Sequence, residues 1–169
     1  MREFDTNGLR LAEFQGRLFE ASVDAFDCSS PVFLRRFRLS DLLKRLDSNE
    51  SSLCPVDVEE ALGEIQEQFG KSEYGNLKFS KATMFWMGYF YRYVSYTREI
   101  ETPFLFSLFK FDLLNRVYYV FHTQDMEWCI DNLLEMIGCD EGVFDKNKRL
   151  KKIISAEIKK NVQTGQTSL

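Results

Sequence analysis

Between Lys81 and about Glu99 the chain carries Phe85-Trp86-Met87-Gly88-Tyr89-Phe90-Tyr91-Arg92-Tyr93-Val94, with apolar side chains around most of a helical circumference. A helix that is apolar on nearly all sides has to be covered on nearly all sides. The segment therefore predicts a central buried helix, capped by Ser80, around which the rest of the chain must pack. One polar stripe interrupts it, at Lys81, Gly88, Arg92, Ser95 and Glu99.

The surrounding sequence is helical in period nearly everywhere. From Leu9 to Phe26, Leu11, Phe14, Leu18 and Ala21/Ser22 recur at three- and four-residue steps. Ser30-Pro31 reads as an N-cap followed by proline in the first turn, leading into Val32 to Arg38, and Ser40 caps a short helix through Leu46. Asp47 to Ser52 is a loop by composition. Pro55 to Phe69 places Val58, Ala61, Leu62, Ile65 and Phe69 on one face, with Gly70 as its stop. Thr102-Pro103 opens a helix to Phe109, Asp112 to Phe121 forms another, and Asp125 caps Met126 to Ile137, closed by Gly138. A last helix is expected from about Asp145 to Asn161, with Gln163 to Leu169 fraying. The expected fold is all-α: one compact bundle of about seven or eight helices (residues 1–140), then a basic amphipathic C-terminal helix with a frayed tail (residues 141–169).

The 169 residues can bury a core without disulfide or metal staples, and 16 Phe, 7 Tyr and 2 Trp supply large rings for it. Cys28, Cys54, Cys129 and Cys139 form no C-x-x-C pair, and His122 is the one histidine. That spacing argues against zinc and a redox dithiol and predicts four reduced, mostly buried thiols. Met1-Arg2-Glu3-Phe4-Asp5 carries acids where a signal peptide needs a basic start, and the longest charge-free apolar run, about Ala82 to Tyr91, is too short to span a bilayer. A cytoplasmic location follows as the expectation. Residues 1–140 hold 15 basic and 23 acidic side chains, a net −8, whereas residues 141–169 hold 7 and 3, a net +4. The acidic body disfavours broad contact with nucleic acid.

No phosphate-binding loop, dinucleotide fingerprint, nucleophile elbow or metalloprotease motif occurs, so no catalytic residue, metal ligand or cofactor is assigned. Four places could carry binding. His122-Thr123-Gln124-Asp125 is either a turn whose Thr123 or Asp125 caps the next helix, or a site with His122 as base. Tyr89, Arg92, Tyr93 and Tyr96 share one helical face. They form either a polar pocket holding an anion on Arg92, or an internal ion pair between Arg92 and an acid of a facing helix. Arg35, Arg36 and Arg38 follow the Ser30-Pro31 cap and are either a phosphate site or a solvated face. Lys148, Arg149, Lys151 and Lys152, with Lys146, Lys159 and Lys160, lie over an apolar stripe of Leu150, Ile153, Ile154 and Ile158. That helix could dock on the acidic body, a partner, nucleic acid or a membrane surface.

Several phrases together resemble a family of small, largely uncharacterised bacterial proteins, mainly from Firmicutes. They are Phe33-Leu34-Arg35-Arg36-Phe37, Ser40-Asp41, Arg45-Leu46-Asp47, Gln68-Phe69-Gly70, Tyr74-Gly75, Phe85 to Tyr93 with its G-Y-x-Y-R-Y, and Tyr119 to Asp125 with its H-T-x-D. The resemblance covers about residues 10 to 138. The chain departs from the pattern at Val94, at Phe104 to Phe109 and in the basic segment after Gly138. The resemblance implies a toxin–antitoxin-like gene neighbourhood, and with it an antitoxin or regulatory binding role without catalytic residues.

The resulting expectation is a non-catalytic interaction module that binds and masks a co-encoded toxin, with self-association possible. An acidic body suits a basic partner surface. The alternatives are a binder of, or enzyme on, a phosphorylated ligand or nucleotide through Arg92, Tyr89, Tyr93 and His122, and nucleic-acid binding through the C-terminal helix alone. No membrane contact is expected.

Overall fold

The structure is a computed structural model that describes residues 1–48 and 57–165. The described residues form nine helices and no strand, in two compact units that divide after residue 129. No described helix is long and apolar enough to cross a membrane.

In the first unit α1 (Thr6–Ala25) packs along α5 (Lys81–Arg98). Asp5 caps α1 by accepting from the Gly8 N–H at 2.9 Å, so the helix opens at Thr6 rather than Leu9. Ser80 caps α5, accepting from the Thr83 N–H at 3.0 Å. The two backbones cross where neither has a side chain. A Cβ on Gly88 would sit 2.5 Å from the Gln15 carbonyl oxygen, and one on Gly16 would press on the Phe85 ring at 3.0 Å. Close approach lets α5 bury Met84, Met87, Phe90, Tyr91 and Val94. Gly88, Arg92 and Ser95 are buried as well, so most of the polar stripe lies inside the fold.

The remaining helices of this unit wrap those two. They are α2 (Ser30–Leu39), α3 (Asp41–Asp47), α4 (Val58–Phe69), α6 (Thr102–Leu108), α7 (Phe111–Phe121) and the start of α8 (Met126–Met136). The core is aromatic: Phe19 meets Phe33 and Phe37 edge-on at 5.6 and 4.8 Å, and Tyr91 stacks on Phe106 at 4.3 Å. Such pairs add about 1 kcal/mol each beyond their buried area. The Tyr91 hydroxyl donates to the Phe109 carbonyl, closing its polar end.

Nine helices stand against the bundle of seven or eight and the C-terminal helix expected, and single residues separate short neighbours. Ser40 alone divides α2 from α3; its hydroxyl accepts from the Leu43 N–H at 3.1 Å while its extended backbone breaks the ladder. Ser29, not Ser30, is the N-cap of α2, and the Ser30 hydroxyl instead accepts from the Phe79 N–H at 2.9 Å. Asp47 belongs to α3 and not to a loop. Within α4, Asp57 is the cap, and the expected start at Cys54-Pro55 lies outside the described residues. The strand-like Tyr118 to Phe121 is helical, within α7. Cys28 and Cys129 are buried free thiols and Cys139 a half-buried one, while Cys54 lies outside the described residues.

In the second unit α8 continues to Met136, and Gly138 turns the chain with φ +70°. Helix α9 runs from Gly142 to Gly165, starting earlier and ending later than the periodicity suggested. Its start is fixed by Asp140, whose carboxylate accepts from the Gly142 N–H at 2.8 Å.

Candidate functional site

Little more than one turn of α5 aims Arg92, Tyr93 and Tyr96 at three different partners. Arg92 is 2% exposed. Its Nε donates to Gln15 Oε1 at 2.9 Å, and its Nη1 to Asp47 Oδ1 at 2.9 Å and Leu46 O at 3.2 Å. Thr102 completes the shell of Asp47, donating its N–H to Oδ2 at 2.8 Å and its hydroxyl to Oδ1 at 2.7 Å. Gln15 in turn donates to Gly88 O at 3.1 Å. Four helices are therefore tied by one buried pair. A buried pair of this kind nearly breaks even against apolar packing, but removing one partner strands the other.

The Arg92 Nη2 is buried and has no hydrogen-bond partner among the described residues. Arg92 borders a cavity of about 220 Å³ whose wall also includes Asp47, Ser95, Tyr96, Glu99 and Glu101. Glu99 ends α5 in the left-handed region, φ +53° and ψ +49°, the one non-glycine there among the described residues. That conformation costs a residue with a Cβ about 1 kcal/mol. Asp47 and Glu101 also border a wider cleft of about 680 Å³ with Arg38, Leu43, Lys44 and Pro103.

Tyr93 and Arg98 converge on Glu127. The Tyr93 hydroxyl donates to Oε1 at 2.7 Å, and Arg98 forks onto Oε1 and Oε2 at 3.0 and 2.5 Å. The Arg98 guanidinium holds the Glu127 carboxyl below its ordinary range, while burial and that carboxylate raise the Tyr93 hydroxyl above its own. Tyr96 faces the N-terminal segment, donating to Asp5 Oδ1 at 2.7 Å beneath the Arg2 guanidinium, 3.9 Å from the ring centroid. The Gly8 N–H and the Tyr96 hydroxyl together lower the Asp5 carboxyl. Phe4 sits among Tyr89, Tyr93 and Tyr96 at 6.3, 4.5 and 6.1 Å between centroids.

The other singled-out residues lie elsewhere. Arg35 and Arg36 fall in the second half of α2, toward its carbonyl end and away from the amide end that favours phosphate. Arg35 is exposed, and Arg36 Nη1 donates to Gly70 O at 2.7 Å, closing α4. His122 caps α7, its Nδ1 2.9 Å from Tyr118 O and its ring stacked on Tyr118 at 4.6 Å. Asp125 accepts from the Trp128 N–H at 2.8 Å and so caps α8. Lys148 and Lys151 are half-buried on α9, and Arg149 and Lys152 exposed. Among the described residues no three His, Cys, Asp or Glu gather to hold a metal ion.

The residues that sequence reasoning missed are Gln15, Asp47, Thr102, Arg98 and Glu127. Gln15 alone left a trace, an amide four residues after Leu11 on the apolar face of the first helix. Compared with protein-family models, with curated proteins and with solved structures, the chain gives no match.

Proposed function

We propose that this chain is a non-catalytic protein-interaction module of the antitoxin type, which binds and masks a co-encoded toxin in the bacterial cytoplasm. The observation that carries the reading is the exposure of large side chains on either side of the α7–α8 turn. Tyr119 is 80% exposed, Val120 63% and Trp128 39%, in a unit that otherwise buries most of its rings. Tyr and Trp dominate the energetics of protein contacts, so exposed rings of this kind are where a partner would gain most. The acid surplus of residues 1–140 favours a partner with a basic surface. Internal pairing of Arg92, Tyr93 and Tyr96 supports scaffolding rather than turnover by α5. Self-association and nucleic-acid contact through Lys148, Arg149, Lys151 and Lys152 are subordinate parts of the reading.

Co-expression with the product of each neighbouring gene tests it. The protein should restore growth against one of them and co-purify with it. Tyr119→Lys should weaken that complex at least about tenfold with an unchanged melting temperature. Failure of every neighbour to be neutralised or retained refutes the proposal.

The Arg92 Nη2, without a hydrogen-bond partner among the described residues, favours a second reading, a small-molecule site in the 220 Å³ cavity. Asp47, Glu99 and Glu101 in its wall oppose a phosphate, so the compound would be uncharged or cationic and would offer Arg92 one acceptor. Stabilisation of the protein by inorganic phosphate in a thermal-shift series would exclude that chemistry.

A further inference from the structure

We propose that α9 is a membrane-surface helix whose aliphatic stripe lies in the headgroup boundary of an anionic phospholipid bilayer. The proposal is independent of the toxin-masking face at Tyr119 and departs from the expectation of no membrane contact.

The stripe runs the length of the helix, with a few polar residues among its members. Ile153, Ile154, Ile158 and Val162 follow Leu150 at three, four, eight and twelve residues, which is one side of a 3.6-residue helix. All five are 54–60% exposed. On the same spacing Lys148, Lys152 and Lys159 fall on the opposite side, with Arg149 and Lys160 toward one border, while Lys146, Lys151 and the acid Glu157 fall among the aliphatic residues. From Gly142 to Gly165 there are seven basic residues and two acidic ones, a net charge of +5. A long helix with an aliphatic face, a lysine face and little overall hydrophobicity is built to lie along an interface and not to cross it. The absence of a membrane-crossing helix among the described residues agrees with that placement.

Charge and composition select the occupant. A second copy of α9 would bring +5 onto +5. A nucleic acid would engage the lysines but has no use for five exposed aliphatics. An acid-rimmed protein groove would favour arginine, whose planar fork pairs carboxylates two bonds at a time, and an aromatic anchor. Here six of the seven cations are lysine and the stripe holds no ring. Lysine is a flexible point charge that can keep its head among phosphates while its stem runs along apolar surface. A diffuse anionic surface of lipid phosphates is the occupant that uses both faces.

Vesicle co-sedimentation of the full chain tests this, with phosphatidylcholine alone and phosphatidylcholine mixed with phosphatidylglycerol. The protein should sediment with the mixed vesicles, not with the neutral ones, and should be released by salt. Ile153→Asp with Ile154→Asp, and separately Lys152→Glu with Lys159→Glu, should each cut the bound fraction at least about tenfold. All four side chains are exposed, so the melting temperature should not move. Absence of sedimentation with mixed vesicles overturns the proposal. Loss of binding in the lysine variant with full binding in the isoleucine variant also overturns it, in favour of a purely electrostatic, nucleic-acid-like contact. A dimer by light scattering that dissolves on Ile153→Asp, without vesicle binding, assigns the stripe to a second copy. Loss of a co-purifying toxin on the same substitution, again without vesicle binding, assigns it to a protein groove.

Discussion

Helices α5 and α9 are both long, 18 and 24 residues, and both carry arginine or lysine beside apolar side chains. They resolve that mixture in opposite ways. In α5 Arg92 and Arg98 are buried and each is clamped to a carboxylate, Asp47 and Glu127. In α9 Arg149, Lys152 and Lys159 stand exposed, and so do the aliphatic residues of the stripe. Burial makes pairing compulsory, because an unpaired charge away from water costs several kcal/mol. Exposure removes that demand. A cation in α5 is thus a fastener for the fold, whereas the cations of α9 influence what the helix meets.

The largest effect should come from breaking the fastener. Arg92→Ala strands Asp47, whose side chain is 10% exposed, and should destabilise the protein by about 3–5 kcal/mol. In a domain of this size that lowers the melting temperature by roughly 6–20 °C. A double-mutant cycle with Asp47→Asn should recover part of the loss, and strict additivity would show that the two residues are not coupled.

Gly88→Ala attacks the same helix without touching charge. The new methyl would meet the Gln15 carbonyl oxygen, part of a backbone that cannot rotate away, so α1 and α5 must separate. The expected cost is about 1–3 kcal/mol, read from denaturant unfolding. A neutral Gly88→Ala would mean that the crossing is looser than its geometry.

Acid should distinguish the second fastener. Arg98 lowers the Glu127 carboxyl below its ordinary 4.5, so the folded value lies below the unfolded one. The stabilisation is complete above about 4.5 and disappears as pH falls through the lower, folded value. Glu127→Gln should therefore be less stable than the natural chain at neutral pH, with the two stability curves converging in strong acid. Parallel curves would rule out that contribution.

Smaller effects sharpen the contrast from the exposed side. His122→Ala removes one ring and one hydrogen bond at the end of α7 and should cost roughly 0.5 kcal/mol. Ile153→Asp on α9 should change stability by less than about 0.5 kcal/mol, because its site is already 57% exposed. A drop as large as that of Arg92→Ala would show that the stripe is structural.

The helices were legible because their causes are local. Ser40, Ser80 and Asp125 act on an N–H three residues away, and the glycines after α4 and α8 supply a positive φ within one residue. The apolar face of α1 and the all-round burial of α5 follow from spacing within a few turns. The helix of residues 118–121 was legible for the same reason, since its frame outweighs its strand propensity. These features the amino-acid sequence determined by itself.

The partners of the polar groups were decided only by the tertiary structure. Arg92 reaches Gln15 across 77 residues of chain and Asp47 across 45, Tyr93 reaches Glu127 across 34, and Tyr96 reaches Asp5 across 91. No periodicity spans such distances. The shared helical face of Tyr89, Arg92, Tyr93 and Tyr96 suggested one pocket, yet neighbouring helices divide it among three carboxylates. Which acid meets which base depends on how α1 and α5 cross, and that crossing is set by two glycines whose missing side chains let the backbones touch.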